Sequence, residues 1–232
     1  FAFAYGPVKA YNGCRRNTII LGQGTIKMII IGITGGSGAG KTTVAKTIAK
    51  RLGKDNVVYI SQDWYYKDQT HLSVEERVNL NLDHPNAFDN ELLISDLVKL
   101  RSGQDIEAPI YDFGVQARSK KTTPIESKPV VILEGILILA IPKLVSMIDI
   151  KIFVDAEPDI RLIRRIERDI RERNSTYEST IARYLTTVKP MHDAFIEPSK
   201  VQADIIVPRG GQNEIATDML GDLVEHYSHH HV

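Results

Sequence analysis

The segment at residues 35–42, Gly-Gly-Ser-Gly-Ala-Gly-Lys-Thr, restricts the fold more than any other part of the chain. It fits the pattern G-x-x-x-x-G-K-[ST], in which glycines allow a tight turn whose backbone N–H groups point at phosphate oxygens. Residues 27–33 before it are almost continuously apolar, and Val44, Ile48 and Leu52 recur at every fourth position after it. A strand, a glycine-rich loop and a helix in this order predict a nucleoside triphosphate site.

This segment predicts roles for individual residues. Lys41 is expected to contact the β- and γ-phosphates as a catalytic cation, and the Thr42 hydroxyl is expected to bind Mg²⁺. A flexible glycine-rich turn is the alternative, but a chance match in a chain of this length is on the order of one in a hundred. The residues expected to bind the triphosphate are Gly35, Gly36, Ser37, Gly38, Ala39, Gly40, Lys41, Thr42 and Thr43.

Short apolar runs alternate with longer helical patterns in the rest of the chain. The predicted strands are residues 27–33, 57–60, 130–133, 151–154 and 204–207, and the predicted helices are residues 41–52, 90–100, 159–173, 177–188 and 213–227. This alternation predicts an α/β fold of the P-loop NTPase type, with a parallel five-stranded sheet covered by helices on both faces. Residues 104–125 break the alternation and predict a small β-hairpin that stands off the core and binds substrate.

Charge is distributed unevenly, although the formal net charge is zero. Residues 1–27 hold four basic residues and no acidic one, which leaves residues 28–232 with a net charge of −4. Such a mildly acidic body argues against a nucleic-acid binder, which would have a basic surface. Cys14 is the only cysteine, so a disulfide framework is excluded and a reducing, cytoplasmic location is favoured. No apolar run approaches the roughly 18 residues of a membrane helix.

The two ends of the chain differ from the body between them. Residues 1–27 lack periodicity and begin without Met, so we expect a non-native or processed leader, disordered or irregular, before Met28. An organelle transit segment is the alternative. Residues 228–232 are expected to be a tail, so its histidines are weak candidates for a metal site. Residues 28–227 are then expected to form a single domain.

Two acidic residues follow predicted strands. Glu134 ends the run at residues 130–133, and Asp63 comes shortly after residues 57–60. Because ligands bind beyond the carboxyl ends of parallel strands, we expect both carboxylates to bind Mg²⁺ together with Thr42. Asp63 is also expected to accept the proton of an acceptor hydroxyl. The alternatives are a helix cap for Glu134 and a turn residue for Asp63.

Arginines crowd the predicted helix at residues 159–173. The first four are three or four residues apart and therefore share a face. A solvent-exposed helix paired with its own acids is the usual alternative. The arginines outnumber the nearby acids, so we favour a phosphate-facing lid over residues 159–175 that stabilises the transferring phosphoryl group. The arginines are Arg161, Arg164, Arg165, Arg168, Arg171 and Arg173, and the acids are Glu167, Asp169 and Glu172.

Residues 28–227 resemble the uridine kinase (uridine–cytidine kinase) family of P-loop kinases. The resemblance lies in separate blocks: residues 32–42, 61–66 (SQDWYY), 82–89 (LDHPNAFD), 109–113 (PIYDF), 133–136 (LEGI), the arginine helix, 188–190 (VKP) and 203–210 (ADIIVPRG). It implies phosphorylation of uridine and cytidine at the ribose 5′-hydroxyl to UMP and CMP, in pyrimidine salvage, with Mg²⁺ and with ATP or GTP as donor. It also implies a cytoplasmic homotetramer whose partner is a small nucleoside, with no nucleic acid and no membrane.

The resemblance also implies roles for single residues. Asp63 is implied to be the general base for the 5′-hydroxyl, and Asp83 is implied to bind the 2′- and 3′-hydroxyls, which would favour ribonucleosides. The aromatic residues implied to lie around the pyrimidine ring are Tyr66, Tyr111 and Phe113. The lid arginines implied to contact the nucleoside or the phosphates are Arg165, Arg168 and Arg173. Arg168 and Arg173 are also catalytic candidates.

Some positions depart from the family pattern. Gln116 stands where many members have a histidine at the base edge, and its amide is both donor and acceptor, so we expect both uridine and cytidine to be accepted. Asn174 and Ser175 replace a common Gly–Arg pair, and Arg183 replaces a common glutamine. The candidates for substrate binding are Asp63, Tyr66, Asp83, Tyr111, Phe113, Gln116, Arg165 and Arg183.

Two other functions are alternatives to the phosphorylation of uridine and cytidine. A related P-loop kinase would act on another small hydroxyl substrate, such as phosphoribulose or a pantothenate precursor, and would not turn over nucleosides. A nucleotide-switched regulatory protein would read guanine with an Asn-Lys-x-Asp tetrad, which this sequence lacks.

Overall fold

The structure, a computed structural model, describes residues 28–231. The strands are β1 (Ile29–Thr34), β2 (Val57–Ser61), β3 (Ile106–Asp112), β4 (Ala117–Ile125), β5 (Val130–Glu134), β6 (Ile150–Val154) and β7 (Ile205–Val207). The helices are α1 (Lys41–Leu52), α2 (Val74–Val78), α3 (Asn90–Arg101), α4 (Pro142–Val145), α5 (Pro158–Glu172), α6 (Tyr177–Arg183), α7 (Lys189–Met191), α8 (Glu197–Ser199) and α9 (Glu214–His231). A central sheet has the order β2-β5-β1-β6-β7, and all its neighbours are parallel. The predicted α/β class with a parallel five-stranded sheet is confirmed.

Both faces of the central sheet are covered by apolar side chains. On one face, Ile33 of β1 packs in a cluster with Ile48 of α1 and Leu220 of α9. On the other face, Ile30 of β1 belongs to a cluster that contains Leu97 of α3. All six residues of β1 are buried, which explains why its sequence is continuously apolar rather than alternating.

The carboxyl ends of three adjacent strands meet at one edge of this sheet. β1 leads directly into the phosphate-binding loop that precedes α1, and β5 ends at Glu134. Ser61 at the end of β2 is in register with Glu134, which is in turn in register with Ile33. A 3₁₀ turn, Gln62–Tyr65, follows β2 and contains Asp63. The predicted loop and the two predicted acids therefore share one edge of the sheet.

The β3–β4 hairpin packs against the core, which corrects the prediction that residues 104–125 stand off it. Ile106, Ala108 and Tyr111 of β3 are buried. Ile106 and Ala108 join the apolar cluster under the central sheet. β4 is largely exposed. The polar residues that indicated a free-standing hairpin lie mainly on this outer strand, whereas β3 is half-buried.

The helical region after α5 is longer and less regular than predicted. α6 continues into π-helical turns at Tyr184–Val188 and His192–Ile196, which alternate with α7 and α8. Pro190 and Pro198 each lie two residues after the end of one of these turns. Proline has no N–H and its ring clashes with the carbonyl four residues earlier, so a wider turn before it relieves the clash.

The two ends of the chain are described to different extents. α9 reaches His231, and the tail predicted at residues 228–232 is helical as far as that residue. The predicted leader, residues 1–27, lies outside the described residues. Within residues 28–231, no helix combines the length and the apolar character that crossing a membrane requires.

Candidate active site

The phosphate-binding loop depends on glycine at positions that other residues cannot occupy. Gly38 and Gly40 have φ values of 81° and 95°, in the left-handed region. A Cβ on Gly40 would lie 2.6 Å from the backbone N of Gly211, so the loop after β7 packs closely only against glycine. α1 begins at Lys41, and its positive N-terminal end faces the loop. The loop and the helix together form a site for phosphate oxygens.

Lys41 is a buried cation inside this loop. Its Nζ donates a hydrogen bond to the Gly36 carbonyl at 3.2 Å. Burial lowers the pKa of Lys41, and the carboxylates of Glu134 and Asp63 oppose that shift. An ammonium group has three donors, so two remain for phosphate oxygens.

Glu134 receives two hydroxyl donors on one oxygen. Thr42 Oγ1 donates to Glu134 Oε2 at 3.0 Å, and the Tyr59 hydroxyl donates to the same atom at 2.5 Å. The next helix, α4, begins only at Pro142, so Glu134 does not cap a helix. The alternative interpretation of Glu134 as a helix cap is therefore wrong.

Asp63 lines the same region from the 3₁₀ turn after β2. Its backbone N–H donates to Ser61 Oγ at 3.3 Å, so Ser61 rather than Asp63 caps the turn. Burial and the Glu134 carboxylate raise the pKa of Asp63, while Arg173, Lys41 and Arg168 lower it. A carboxylate with raised proton affinity at a cationic site is suited to accept a proton.

Asp169 orients three arginines, two in α5 and one directly after its end. The carboxylate is 5% exposed and pairs with Arg165 at 3.3 Å, Arg168 at 2.8 Å and Arg173 at 3.7 Å. A single carboxylate cannot neutralise three guanidinium groups, so positive charge remains on this face. The alternative of a solvent-exposed helix paired with its own acids does not describe these residues, because Asp169 and Arg165 are both buried.

Arg165 and its neighbour Arg164 also contact the phosphate-binding loop directly. Arg165 Nη1 donates to Ser37 Oγ at 2.9 Å, and Arg164 Nη1 donates to the Gly38 carbonyl at 3.5 Å. Arg161 differs, because its Nη2 lies 3.2 Å from His192 Nε2 and it does not line the cavity with the others. The lid face that the sequence predicts therefore begins at Arg164.

Asp83 is a buried carboxylate at the other end of the site. It is 8% exposed, and its backbone N–H donates to Asn81 Oδ1 at 3.1 Å. Burial raises the pKa of Asp83, and the charges of Arg165, Arg183 and other arginines lower it only in part. A buried acid next to cations is suited to accept hydrogen bonds from hydroxyl groups of a ligand.

Aromatic rings form a wall near Asp83. Tyr66 stacks on Phe88 at 4.3 Å and lies 4.8 Å from Tyr111, measured between ring centroids. The Arg173 guanidinium lies 4.2 Å from the centre of the Phe113 ring. The Tyr111 hydroxyl is buried without a hydrogen-bond partner among the described residues, and burial raises its pKa to about 12. Such a wall suits a flat ring that carries polar groups.

A cavity of about 420 Å³ joins these two groups of residues. The predicted site residues that line it are Ser37, Gly38, Gly40, Lys41, Thr42, Asp63, Tyr66, Asp83, Phe113, Gln116, Glu134, Arg165, Arg168, Arg173 and Arg183. The other predicted residues, Gly35, Gly36, Ala39, Thr43 and Tyr111, do not line it. Tyr111 lies against Tyr66 and Phe113 and supports the aromatic wall.

Sequence reasoning missed two residues that hold this site together. Arg118 on β4 donates to the Tyr66 carbonyl at 3.0 and 2.7 Å and pairs with Asp89 at 3.2 Å. Nothing in the polar sequence of β4 distinguishes Arg118 from its neighbours. Tyr59 is the other residue, and its signal was a hydroxyl within an otherwise apolar strand two residues before Ser61.

The oxygen donors at the phosphate end fit Mg²⁺. Thr42, Asp63 and Glu134 supply hard oxygen atoms, which this cation prefers. Within the described residues, no group of three or more His, Cys, Asp or Glu side chains could hold a metal by itself. Mg²⁺ is commonly bound by one or two carboxylates together with substrate phosphates. The residues therefore fit a cation that arrives with a nucleotide.

Comparisons with known proteins identify the family of this chain. A model of the Phosphoribulokinase / Uridine kinase family matches residues 30–216. The uridine kinase of Clostridium perfringens strain 13 is 55% identical over 192 residues, which cover 83% of this chain and 92% of that protein. The uridine kinase of Bacillus mycoides strain KBAB4 is 52% identical over 198 residues, which cover 85% of this chain and 93% of that protein.

A solved structure shares the fold. The phosphoribulokinase of Rhodobacter spheroides aligns with a TM-score of 0.58 at 17% sequence identity, over 79% of this chain and 70% of that chain. At this identity the likeness concerns the fold alone.

Proposed function

Since this chain belongs to the phosphoribulokinase/uridine kinase family, we propose that it transfers the γ-phosphoryl group of ATP to the 5′-hydroxyl of uridine or cytidine. The products are ADP and UMP or CMP. The observation that carries this proposal is the cavity that has Lys41 and Thr42 at one end and Asp83 with Phe113 at the other. Such a cavity can hold a phosphate chain and a nucleoside together.

At the phosphate end, the chain supplies charge and a base. Lys41 and the backbone N–H groups of the loop bind the β- and γ-phosphates, and Arg168 and Arg173 stabilise charge on the transferring group. Asp63 accepts the proton of the 5′-hydroxyl as that oxygen attacks phosphorus. Thr42, Asp63 and Glu134 would hold Mg²⁺, which when bound neutralises charge on the phosphate oxygens.

At the nucleoside end, the chain supplies recognition. Asp83 accepts hydrogen bonds from the 2′- and 3′-hydroxyls, and Arg165 and Arg183 lie near its carboxylate. Tyr66 and Phe113 contact the pyrimidine ring, Tyr111 supports both rings, and the Gln116 amide faces the base edge. The Gln116 Oε1 is buried without a partner among the described residues, so it has a free acceptor position for a ligand donor.

The two other functions lack a comparable observation. A sugar phosphate or a pantothenate precursor has no flat ring for the aromatic wall. A guanine-reading switch requires the Asn-Lys-x-Asp tetrad, which is absent from the sequence. The single domain at residues 28–227, the cytoplasmic location, the homotetramer and the choice of ATP over GTP are further parts of the proposal, and they rest on the family resemblance.

A coupled ADP-release assay with Mg·ATP tests the proposed function. We expect release to depend on added nucleoside, with uridine and cytidine turned over within a hundredfold of each other at equal concentration. Ribulose 5-phosphate and pantothenate, added in parallel, should give only the background rate. ADP release that is the same with and without nucleoside would exclude the proposed function, and turnover of ribulose 5-phosphate would favour the related kinase.

A further inference from the structure

Tyr59 lies at the edge of the phosphate site on the strand next to Glu134. β2 and β5 are paired in parallel, with Tyr59 in register with Ile132 and Ser61 in register with Glu134. Side chains two residues apart on a strand point to the same face, so Tyr59 lies on the face of Ser61 and Glu134. Its hydroxyl reaches along the sheet to Glu134 Oε2 at 2.5 Å, the same atom to which Thr42 donates.

The Tyr59 hydroxyl donates to a charged group. Its acceptor, Glu134 Oε2, lies 2.5 Å away and belongs to a carboxylate, which has no proton to give back. Hydrogen bonds to a charged acceptor are roughly twice as strong as neutral ones. The ring packs edge-on against Trp64, with 5.9 Å between ring centroids, which limits its rotation. The hydroxyl is therefore held in place by its hydrogen bond and by the packing of its ring.

Glu134 needs such a restraint because a buried cation interacts with it. The Lys41 ammonium interacts with it electrostatically from within the phosphate-binding loop. A carboxylate free to rotate would turn toward that ammonium and draw it away from the phosphates. Two hydroxyl donors on Oε2, from Thr42 and Tyr59, oppose that rotation.

We propose that Tyr59 is a positioning residue that fixes the orientation of Glu134 and thereby sets how strongly Mg²⁺ couples to nucleotide binding. This inference rests on the proposed function, since it takes Glu134 to serve the Mg²⁺–nucleotide complex. Tyr59 acts through Glu134 and takes no part in the phosphoryl transfer itself. Groups that orient a metal ligand typically change metal affinity or activity by about 10- to 100-fold when removed.

Calorimetric titration of ADP into the whole chain, once with Mg²⁺ and once with EDTA, tests this role without any turnover. The ratio of the two dissociation constants measures the gain in ADP affinity that Mg²⁺ provides. In Tyr59→Phe we expect this gain to fall about tenfold or more, while the affinity for ADP in EDTA stays at the wild-type value. A residue that merely stabilised the fold would change both affinities or neither.

Tyr65→Phe is a matched control. The Tyr65 hydroxyl donates to the Asp96 carboxylate at 3.1 Å, and both residues are buried in the core between β2 and α3. This variant loses the same kind of bond and should lower the melting temperature while leaving the Mg²⁺-dependent gain unchanged. Equal losses of the gain in Tyr59→Phe and Tyr65→Phe would overturn the proposal.

A double-mutant cycle with Glu134→Gln gives a second, independent measurement. If Tyr59 acts through Glu134, adding Tyr59→Phe to Glu134→Gln should not reduce the gain further. Additive losses of the Mg²⁺-dependent gain in the double variant would overturn the proposal. An unchanged gain in Tyr59→Phe would also overturn it, and so would a wild-type ADP affinity that does not respond to Mg²⁺. Failure of the proposed function is seen separately, because it appears as nucleoside-independent ADP release in the assay described above.

Discussion

The phosphate end and the nucleoside end of the cavity are constructed differently. The phosphate end is formed by consecutive residues between β1 and α1 and by the ends of β2 and β5, which lie side by side in one sheet. The nucleoside end brings together the loop before α3, the β3–β4 hairpin, α5 and α6. Main-chain geometry fixes the first, whereas side-chain contacts such as those of Asp169 and Arg118 fix the second.

This difference predicts that substitutions will separate the two ends kinetically. Changes at the phosphate end should lower kcat, because the groups there act on the reacting atoms. Changes at the nucleoside end should raise the KM for the nucleoside and leave ADP binding unaltered. The following variants are ordered by the size of the effect expected.

The largest effect is expected from Asp63→Asn. Loss of the proposed general base should reduce kcat by about 10²- to 10⁴-fold, since an amide cannot accept the proton. ATP affinity, measured by calorimetry in EDTA so that Mg²⁺ does not contribute, should stay near the wild-type value. Asp68→Asn, at an exposed position later in the same segment, is the control and should behave as wild type. Near-normal kcat in Asp63→Asn would remove this residue from its proposed role.

A smaller effect, confined to the nucleoside, is expected from Asp83→Asn. Removal of a charged acceptor for two ribose hydroxyls should lower kcat/KM for uridine about 100-fold, with ADP affinity unchanged. The preference for uridine over 2′-deoxyuridine should shrink at the same time, because that preference depends on the buried carboxylate. Steady-state kinetics with both nucleosides measure this preference. An intact preference would contradict the assignment of Asp83 to the ribose hydroxyls.

Asp169→Asn tests whether the two ends are linked through α5. Its carboxylate pairs with Arg165, which contacts Ser37 at the phosphate end, and with Arg173, which covers Phe113 at the nucleoside end. We expect about a tenfold change in both kcat and the KM for uridine, since three arginines lose their common partner. The exposed Glu172 of the same helix gives the control Glu172→Gln. A change in only one of the two constants would show that the ends are independent.

The smallest effect concerns stability and pH. Burial raises the pKa of Asp83, so its charged form is disfavoured in the folded state and stability is lost as pH rises through that pKa. Asp83→Asn should therefore melt a few degrees above wild type at pH 7.5, at about 2–4 °C per kcal/mol, and the difference should shrink toward pH 4. Thermal unfolding at several pH values checks this, and a difference that grows at low pH has the wrong sign.

The same contrast explains which parts of the fold and of the site can be predicted from the sequence. Continuous apolar runs and the glycine pattern around Lys41 predict β1, α1 and the phosphate-binding loop, because those features are local. Glu134 and Asp63 follow from strand ends, which meet at one edge in any parallel sheet. The sequence did not predict that β3 packs against the core, because the polar residues of β4 masked the half-buried pattern of β3.

The nucleoside end of the cavity could not be predicted from local sequence patterns alone. Tyr66 and Tyr111 are buried and read as core residues, and only the family resemblance connects them with a ligand. The contact between Arg118 and the Tyr66 carbonyl joins residues far apart in the chain, which periodicity cannot reveal. The π-helical turns near Pro190 and Pro198 arise from clashes within the helix, which amphipathic spacing does not report.

The most direct test of the central claim compares uridine with 5′-deoxyuridine in the presence of Mg·ATP, with the products followed by ³¹P NMR. If one cavity holds the phosphate chain and the nucleoside with the 5′-oxygen as acceptor, uridine should give ADP and one new phosphomonoester, UMP, in equal amounts. 5′-Deoxyuridine should give neither, and should compete with uridine for binding. A phosphorylated product from 5′-deoxyuridine, or an ester at another uridine hydroxyl, would contradict the account.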